Sequence, residues 1–244
     1  MPSFRVGQIV WVPAALLGPA DGFAMRSRTV RAARDRTVFV DRDDGTTVGV
    51  PSSKTHADVG VLVLSIGDLV TETSLIDPLS KSVLQYLRLL LPDDQVRREQ
   101  IRTVAELSEV WRVNHGMASH VVLVSHGRPD AVRFVDPGWV RAAGFCQVLD
   151  QPGVTPKEFI SLACQTGRAE FAKAFSNSAS CRSFLGPFQS VHGALASQYC
   201  QAYFTARFLG GQSTKVAFRT AAKGIAVGTH FRLWRDGTHE VLGS

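Results

Sequence analysis

Two strand-like segments each end on a side chain that could carry acid–base or nucleophilic chemistry. The apolar run VVLVS leads directly into His126 and Gly127, and the run FISLA leads directly into Cys164. A thiolate is a strong nucleophile, and a nearby imidazole both favours the thiolate and can later protonate a leaving amine. The ends of neighbouring parallel strands meet at one edge of a sheet. The pattern therefore predicts a His–Cys dyad, with ring nitrogen and sulfur within about 6 Å.

The backbone beside these two side chains could stabilise a tetrahedral intermediate. We expect the N–H groups of Gly127 and Cys164 to act as oxyanion donors. Glycine at position 127 also lets a substrate approach the backbone closely. Two further His-Gly pairs occur, but His115 follows a predicted helix, where a terminating glycine is common, and His192 comes after the cysteine in the chain.

Strand-like and helix-like segments alternate from residue 59 onward. The first of them, VGVLVLSI at 59–66, is a nearly continuous apolar run, as is typical of a buried parallel strand. Thr103 and Glu106 have the spacing of a helix capping box. The alternation predicts an α/β fold over residues 58–244, with a mostly parallel sheet flanked by helices. Further strands are predicted at 96–102, 119–125, 159–163 and 184–191, and helices at 78–91, 103–113, 169–175, 193–209 and 214–227.

Residues 1–57 have a different texture, with short alternating segments and a tight turn. Asp44 and Gly45 supply the turn residues that a hairpin needs. Strand, long loop, strand, strand, turn and strand predict a separate small β-barrel over residues 3–57. Its strands are expected at 4–12, 24–32, 37–41 and 47–50.

The two strand endings resemble those of a known peptidase clan. A His-Gly pair followed by ACQTG at 163–167 is similar to the caspase-like cysteine peptidases, which include caspases, metacaspases, separase and the bacterial CHAT proteases. The caspase signature is Gln-Ala-Cys-[Arg/Gln/Gly]-Gly, with the histidine roughly 50 residues upstream. Here Leu162 replaces the glutamine, Thr166 is inserted before the glycine, and His126 precedes Cys164 by 38 residues. These departures argue against an animal caspase and favour the CHAT-like and bacterial relatives.

The resemblance covers about residues 59–235, and it includes the letters LGGQS at 209–213, which echo a Leu-x-Gly-x-Ser segment of CHAT domains. It implies a cysteine endopeptidase that works with a His–Cys dyad and needs no cofactor or metal. The letters VWVP at 10–13, the Asp-Gly turn and VGVP at 48–51 resemble the SH3-like barrel at the front of myosin motor domains. That second resemblance implies a fold only, since such barrels have no common function.

Specificity within this clan resides in the S1 pocket, where many relatives use an acid to hold arginine or lysine. Asp68 follows the first strand of the α/β region, at a position where several such relatives carry an acid. The alternative is that Asp68 caps a helix or turn. Asp130, just after the His-Gly loop, is a second candidate for binding substrate. The resemblance therefore implies a protein or peptide substrate cleaved after arginine or lysine.

The charge balance bears on partners. The chain has a formal net charge of +6 and one arginine cluster near the N-terminus. These arginines either lie on solvated faces of strands or form a surface that binds an anionic or nucleotide activator. Few aromatics interleave with them, so a nucleic-acid partner is not expected. The cluster consists of Arg26, Arg28, Arg31, Arg34 and Arg36.

Cysteine usage and apolar runs bear on location. The four cysteines are scattered, with no C-x-x-C pair, which argues against a zinc site and a dense disulfide framework. The longest apolar runs have the length of a strand and are too short to cross a bilayer. Both features favour a cytoplasmic protein without membrane contact.

Three functions remain open from the residues. The first is an active peptidase of a bacterial stress or antiviral-defence pathway, activated by a partner or a nucleotide signal. The second is a catalytically silent caspase-fold binding module, against which the presence of both His126 and Cys164 weighs. The third is a non-peptidase thiol amidase, although the order of histidine before cysteine disfavours glutaminase-type sites.

Overall fold

A computed structural model describes residues 4–18, 22–226 and 228–240. Its first sheet has four antiparallel strands in the order β1-β2-β3-β4. Alternating residues of these strands turn inward, as in Val38 and Val40, and they join Phe4 and Leu17 in a small core of their own. The strands are β1 (Ile9–Pro13), β2 (Met25–Arg34), β3 (Thr37–Asp41) and β4 (Thr47–Pro51).

Closure of this sheet into a barrel is not confirmed. In the described residues the sheet is open, with β1 and β4 at its edges. The chain after β4 nevertheless returns to β1, where Trp11 and His56 exchange two backbone hydrogen bonds of 2.7 and 2.9 Å. The first sheet shares no strand with the seven-stranded sheet, and the bridge to His56 adds one residue beside β1.

The larger sheet has seven strands and is largely parallel. Its strand order is β14-β13-β12-β11-β7-β5-β6, in which the five strands from β12 to β6 are parallel and the last two strands of the chain are antiparallel. The elements in chain order are β5 (Val61–Ile66), α1 (Asp77–Leu90), β6 (Val96–Ile101), α2 (Val104–Asn114), β7 (His120–Val124), β8 (Gly127–Arg128), β9 (Ala131–Arg133), β10 (Trp139–Arg141), α3 (Ala142–Leu149), β11 (Lys157–Ser161), α4 (Ala169–Ser176), β12 (Cys181–Pro187), α5 (Gly193–Phe204), α6 (Thr214–Gly224), β13 (Phe231–Arg235) and β14 (Thr238–Glu240).

Helices cover both faces of this sheet, so its central strands are buried on both sides. On β5, Val61 and Val63 face the core formed with α1, α5 and α6, whereas Leu62 and Leu64 face the core formed with α2, α3 and α4. All residues of β5, β7 and β11 are buried. This explains the apolar runs that make up most of these strands, and it confirms the predicted α/β fold with a mostly parallel, helix-flanked sheet.

Most predicted elements are present, with shifted ends. The capping box of α2 is confirmed, because Thr103 and Glu106 bond each other's backbone N–H groups. The predicted helix 214–227 ends at Gly224, and residue 227 lies outside the described residues. The prediction lacked β8, β9, β10 and α3, and also the terminal hairpin of β13 and β14. Among the helices that the structure describes, none is long and apolar enough to span a membrane.

Candidate active site

The two candidate catalytic residues follow neighbouring strands. Strands β7 and β11 are adjacent and parallel, and their pairing runs up to Ser161 opposite Leu123. The N–H of Leu162 then donates to the carbonyl oxygen of Leu123 at 2.8 Å, so the two strands end in step. His126 and Cys164 therefore emerge at the same edge of the sheet, as predicted. The expected distance between ring nitrogen and sulfur stays a prediction.

The loops that carry these residues touch each other at Gly127. A Cβ atom at this position would lie 2.3 Å from the carbonyl oxygen of Cys164 and 2.9 Å from the carbonyl carbon of Ala163. No side chain tolerates such distances to backbone atoms, so only glycine permits this approach. The His126 loop is thus held directly against the cysteine loop.

The cysteine loop is fixed to the end of β12. Thr166 is fully buried, and its hydroxyl lies 2.8 Å from the carbonyl oxygen of Ala163. The N–H of Gly167 donates to the carbonyl oxygen of Pro187 at 2.7 Å, and the indole N–H of Trp234 donates to the carbonyl oxygen of Gly167 at 2.9 Å. Thr166 is the residue inserted relative to the caspase signature, and the structure gives it a role in closing this loop.

Cys164 is half-buried, and its Sγ lies 3.6 Å from the carbonyl oxygen of Val191. The next residue, Gln165, has a φ of +63°. Among the described non-glycine residues with positive φ, Asp35 and Asp236 lie in the turns of β-hairpins, whereas Gln165 lies outside any hairpin. Left-handed backbone of this kind is often retained at functional sites. The conformation of Gln165 therefore supports Cys164, the preceding residue, as a candidate functional residue.

His126 is half-buried and is oriented by a hydroxyl group. Its Nε2 lies 2.7 Å from Oγ1 of Thr71, and this Oγ1 lies 2.9 Å from Oδ1 of Asp68. A carboxylate can only accept, so the single hydroxyl proton of Thr71 goes to Asp68. Thr71 then accepts from Nε2–H of His126, which leaves Nδ1 as the unprotonated nitrogen of the neutral ring. Thr71 thereby selects the tautomer of the candidate base.

Asp68 is held by several donors. Its Oδ1 also accepts from the N–H groups of Val70 and Thr71, at 3.1 and 2.9 Å, and its Oδ2 lies 3.1 Å from Nε of Arg133. The Thr71 N–H lowers the pKa of this carboxyl, and Arg133 adds to the effect, so Asp68 is ionised at neutral pH. These contacts match the turn-capping alternative. Its role in an S1 pocket stays a prediction.

Asp130 lies at the turn between β8 and β9, beyond the candidate base. Its two oxygens pair with Nε of Arg128 at 2.8 Å and with Nε of Arg141 at 3.3 Å. Both guanidinium groups are on the surface, so the carboxylate is part of an exposed ionic cluster. Binding of a substrate cation by Asp130 stays a prediction, and it would have to compete with these two arginines.

Two backbone N–H groups at the site are available as donors. The N–H of Cys164 has no hydrogen-bond partner within the part of the chain that the structure describes. The N–H of Arg133 donates to the carbonyl oxygen of His126 at 3.0 Å, and hydrogen-bonded pairs alternate along an antiparallel ladder, so the N–H of Gly127 turns away from β9. These are the two donors expected for an oxyanion, and neither has to break a bond to serve.

The other histidines of His-Gly pairs have structural positions. His115 lies at the C-terminal end of α2. Nδ1 of His192 accepts from the N–H of Ala194 at 3.3 Å and thereby caps the start of α5. The other cysteines are also structural, because burial raises the pKa of each thiol, to about 11 for the half-buried one and further for the other two. These are Cys146, Cys181 and Cys200.

The basic N-terminal surface is partly neutralised. Asp43 pairs with both Arg26 and Arg28, and Asp41 pairs with Arg31. Three of the five arginines thus have acidic neighbours on the same sheet, which reduces the attraction for an anionic activator. The remaining two are exposed, namely Arg34 and Arg36.

The sequence assigns no role to two threonines of the candidate site. Thr166 stands out only as an insertion, and Thr71 lies outside the motifs. Thr71 stands three residues after Asp68, a spacing at which an aspartate often closes a turn, and this is the signal that could have identified it. Within the described residues no group of three or more His, Cys, Asp and Glu side chains could hold a metal ion. No protein-family model matches the chain, and no curated protein matches it.

Proposed function

We propose that the protein is a caspase-like cysteine endopeptidase with His126 and Cys164 as its catalytic dyad. The observation that carries the proposal is the contact between the two loops at Gly127, where β7 and β11 end side by side. It brings a candidate base and a candidate nucleophile to one edge of a parallel sheet, on loops whose backbone N–H groups at Gly127 and Cys164 are unpaired in the described residues. A largely parallel sheet with helices on both faces is also what the caspase resemblance implies.

The chemistry follows from these groups. Nδ1 of His126 takes the thiol proton, and the Cys164 thiolate attacks the scissile carbonyl carbon, forming a C–S bond while the carbonyl electron pair moves to oxygen. The N–H groups of Gly127 and Cys164 stabilise this oxyanion. The carbonyl then reforms, the C–N bond breaks, and the imidazolium gives its proton to the leaving amine. Water, deprotonated by His126, releases the acyl group and restores the thiol.

Thr71 and Asp68 support each of these steps through His126. An imidazolium at 126 keeps its Nε2–H bonded to the Thr71 hydroxyl, which is itself polarised by the Asp68 carboxylate. The same arrangement keeps the ring from rotating between proton transfers. Thr71 and Asp68 are therefore positioning residues, and neither has to touch the substrate.

The wider assignment rests on the sequence resemblance. We propose that residues 58–244 form the peptidase domain and that residues 1–57 are a divergent SH3-like barrel, a suggestion supported by the Trp11–His56 bridge at its open side. A bacterial stress or defence effector of the cytoplasm, activated by a partner or a nucleotide signal, is the setting that the resemblance implies. Cleavage after arginine or lysine belongs to the same proposal.

A panel of fluorogenic peptides tests the activity. Cys164→Ala and His126→Ala should each lower kcat/KM by about 10³-fold or more, as nucleophile and base removals do in other peptidases. Cys146→Ala is the matched control, because this cysteine has a similar exposure, and it should leave activity unchanged. Wild-type rates in Cys164→Ala would contradict the proposal.

Two further assays on the same variants, amide hydrolysis and alkylation of the thiol, separate the two alternatives. A thiol amidase would release ammonia from small amides in a Cys164-dependent way and leave internal peptide bonds intact. A silent binding module would do neither, and its Cys164 would react with iodoacetamide at the same rate in His126→Ala as in the wild type. A peptidase dyad predicts slower alkylation in His126→Ala, because the imidazole no longer favours the thiolate.

A further inference from the structure

A cavity lies at the edge of the main sheet opposite His126 and Cys164, where the chain after β4 meets the amino ends of β7 and β11. We call it the amino-edge cavity. Its volume is about 450 Å³, which is within the range of small-molecule sites. Phe4 and Pro156 give it an apolar wall, and its other lining groups are mostly polar. The polar residues that matter below are Thr55, His56, Asp58, Thr155, Lys157 and Arg182.

Lys157 is a buried cation that makes no direct ion pair in the described residues, although the charge of Asp58 acts on it. It is the first residue of β11, and it is only 3% exposed. Its Nζ donates to Oγ1 of Thr155 at 2.8 Å, and no carboxylate of the described chain lies within 4 Å of it. Burial lowers the pKa of this amine. Because an unpaired buried charge is costly, a buried ammonium beside a cavity indicates that an anion can complete the site.

One further donor faces the same space without a partner. The guanidinium of Arg182, at the start of β12, is exposed and makes no hydrogen bond or ion pair with the residues that the structure describes. His56 also lines the cavity, but its Nε2 is closed to solvent. Burial lowers the pKa of His56 to about 4, so its ring is neutral at pH 7 and adds no charge to the cavity.

Among the described residues, one acid lines the cavity. Asp58 accepts from the N–H of Gly60 at 2.9 Å, and its charge acts on Lys157 without a direct ion pair. Glu158, the next residue along β11, points into the protein and is bonded to Arg207, so it does not neutralise the cavity. Two cations against one carboxylate leave a positive excess, which selects an anionic ligand.

We propose that the amino-edge cavity binds a phosphomonoester, with Lys157 and Arg182 contacting the phosphate oxygens. A guanidinium forms paired hydrogen bonds with phosphate, and an ammonium adds a compact charge. The cavity is larger than a phosphate ion, so the ester group occupies the space beside Phe4 and Pro156. The site is far along β11 from Cys164 and stands whether or not the protein is a peptidase.

Titration calorimetry and thermal unfolding of the full chain test this site at constant ionic strength. Inorganic phosphate should bind and raise the unfolding temperature, and glycerol 3-phosphate should do so at lower concentration. Arg182→Gln should weaken binding of both by about tenfold, the effect of one charge-assisted hydrogen-bonding group. Arg219→Gln is the matched control, since it removes an exposed arginine of α6 that does not line the cavity, and it should bind like the wild type.

Three results would overturn the proposal. One is the absence of a shift with either probe at concentrations up to about 10 mM, a weak limit for two charge contacts. Another is equal binding by Arg182→Gln and the wild type. The third is an equal shift with acetate, which would mean that the site takes any carboxylate or phosphate. Lys157→Met should also abolish binding, and if it does not fold, Arg182→Gln alone decides.

Discussion

Strand β7 begins at His120 and is followed closely by His126, and the surroundings of its two ends differ. At the amino end, His120 lies beside Glu158, with Nε2 and Oε2 3.6 Å apart, and both side chains are at most 5% exposed. At the carboxyl end, His126 is half-buried and bonded to the neutral hydroxyl of Thr71. A histidine beside an acid would suggest catalysis at the amino end, yet no substrate can reach it. Solvent access, rather than residue type, distinguishes His126 from His120.

The amino end is a closed ionic core. Glu158 accepts from Arg207 at 3.1 Å, from the hydroxyl of Thr214 at 2.8 Å and from that of Tyr203 at 2.9 Å. Burial acts to raise the pKa of Glu158, but Arg207 and these donors outweigh it and lower the pKa to about 2. Burial lowers the pKa of His120 to about 3. Nε2 of His120 and Nε of Arg207 are buried without a hydrogen-bond partner in the described residues, but the side chains at this end are all enclosed, so we assign this end a structural role in holding β11.

The largest effect on stability is expected from a substitution that removes the central charge of that core. Glu158→Gln keeps the shape but removes the charge, and it leaves Arg207 buried without a counter-ion. We expect a loss of about 3–5 kcal/mol in the free energy of unfolding, measured by urea denaturation at pH 7. Asp130→Asn, which loosens an exposed cluster at the other end, should leave the unfolding midpoint close to wild type. Similar midpoints for Glu158→Gln and wild type would mean that the amino end is not a structural core.

Acid should weaken the same end through His120. Its folded pKa, about 3, is depressed from 6.5, so the unfolded state binds the proton first. The stability it contributes is present above pH 6.5 and is lost as the pH falls toward 3. Between pH 7 and 5 this loss amounts to about 2 kcal/mol, whereas Glu158 is still ionised. Urea midpoints of His120→Gln should therefore change less over this range than those of the wild type, and equal slopes would contradict the assignment.

The main sheet and the ends of its strands could be predicted, because apolar segments that alternate with segments of helical periodicity are compatible with few other folds. Neighbouring strands then bring His126 and Cys164 to one edge without further information. The segment of β8, β9 and β10 could not be predicted, because strands of two or three residues have no recognisable period. The terminal hairpin did carry a signal in Asp236 and Gly237, a dipeptide that favours tight turns.

The two ends of β11 show a further limit of the sequence. Lys157 and Glu158 interrupt an otherwise apolar strand. Nothing in their spacing reveals that Arg207, about fifty positions later, neutralises Glu158, whereas Lys157 makes no direct ion pair in the described residues. The relay to His126 is equally long-range, since Thr71 and His126 are 55 residues apart. Closure of the first sheet also depends on pairing between distant segments. Such contacts are set by packing, which local patterns do not specify.

Substitutions of one threonine at each end, Thr71 and Thr214, should have smaller effects that differ in kind. Thr71→Val removes the acceptor of His126 at the carboxyl end, so the ring loses its orientation, and we expect kcat to fall about tenfold with little change in KM. Thr71→Ser should restore kcat. Thr214→Val removes a hydroxyl from Glu158 at the amino end and should lower the unfolding midpoint while kcat per folded molecule stays unchanged. A loss of stability rather than of kcat in Thr71→Val would make its role structural.

The smallest expected effect decides what Asp68 does. If Asp68 acts through Thr71, Asp68→Asn weakens the polarisation of the hydroxyl, and kcat/KM should fall by about threefold for every substrate. If it lines the S1 pocket, the same change should reduce cleavage after arginine by about 30-fold or more and spare substrates with a neutral P1 residue. The geometry favours the first result, because Oδ1 already accepts three hydrogen bonds and Oδ2 faces Arg133.

A substrate guanidinium could reach Asp68 only by displacing Arg133, whose side chain is 45% exposed while that of Asp68 is 14% exposed. Arg133→Gln would therefore separate the two roles further. It frees Oδ2, so an S1 acid should bind a P1 arginine more tightly, and KM for that substrate should fall. A positioning acid should show no such gain, because its contact with Thr71 uses Oδ1. Asp130→Asn, tested on the same peptides, shows whether the second candidate acid holds the P1 cation instead.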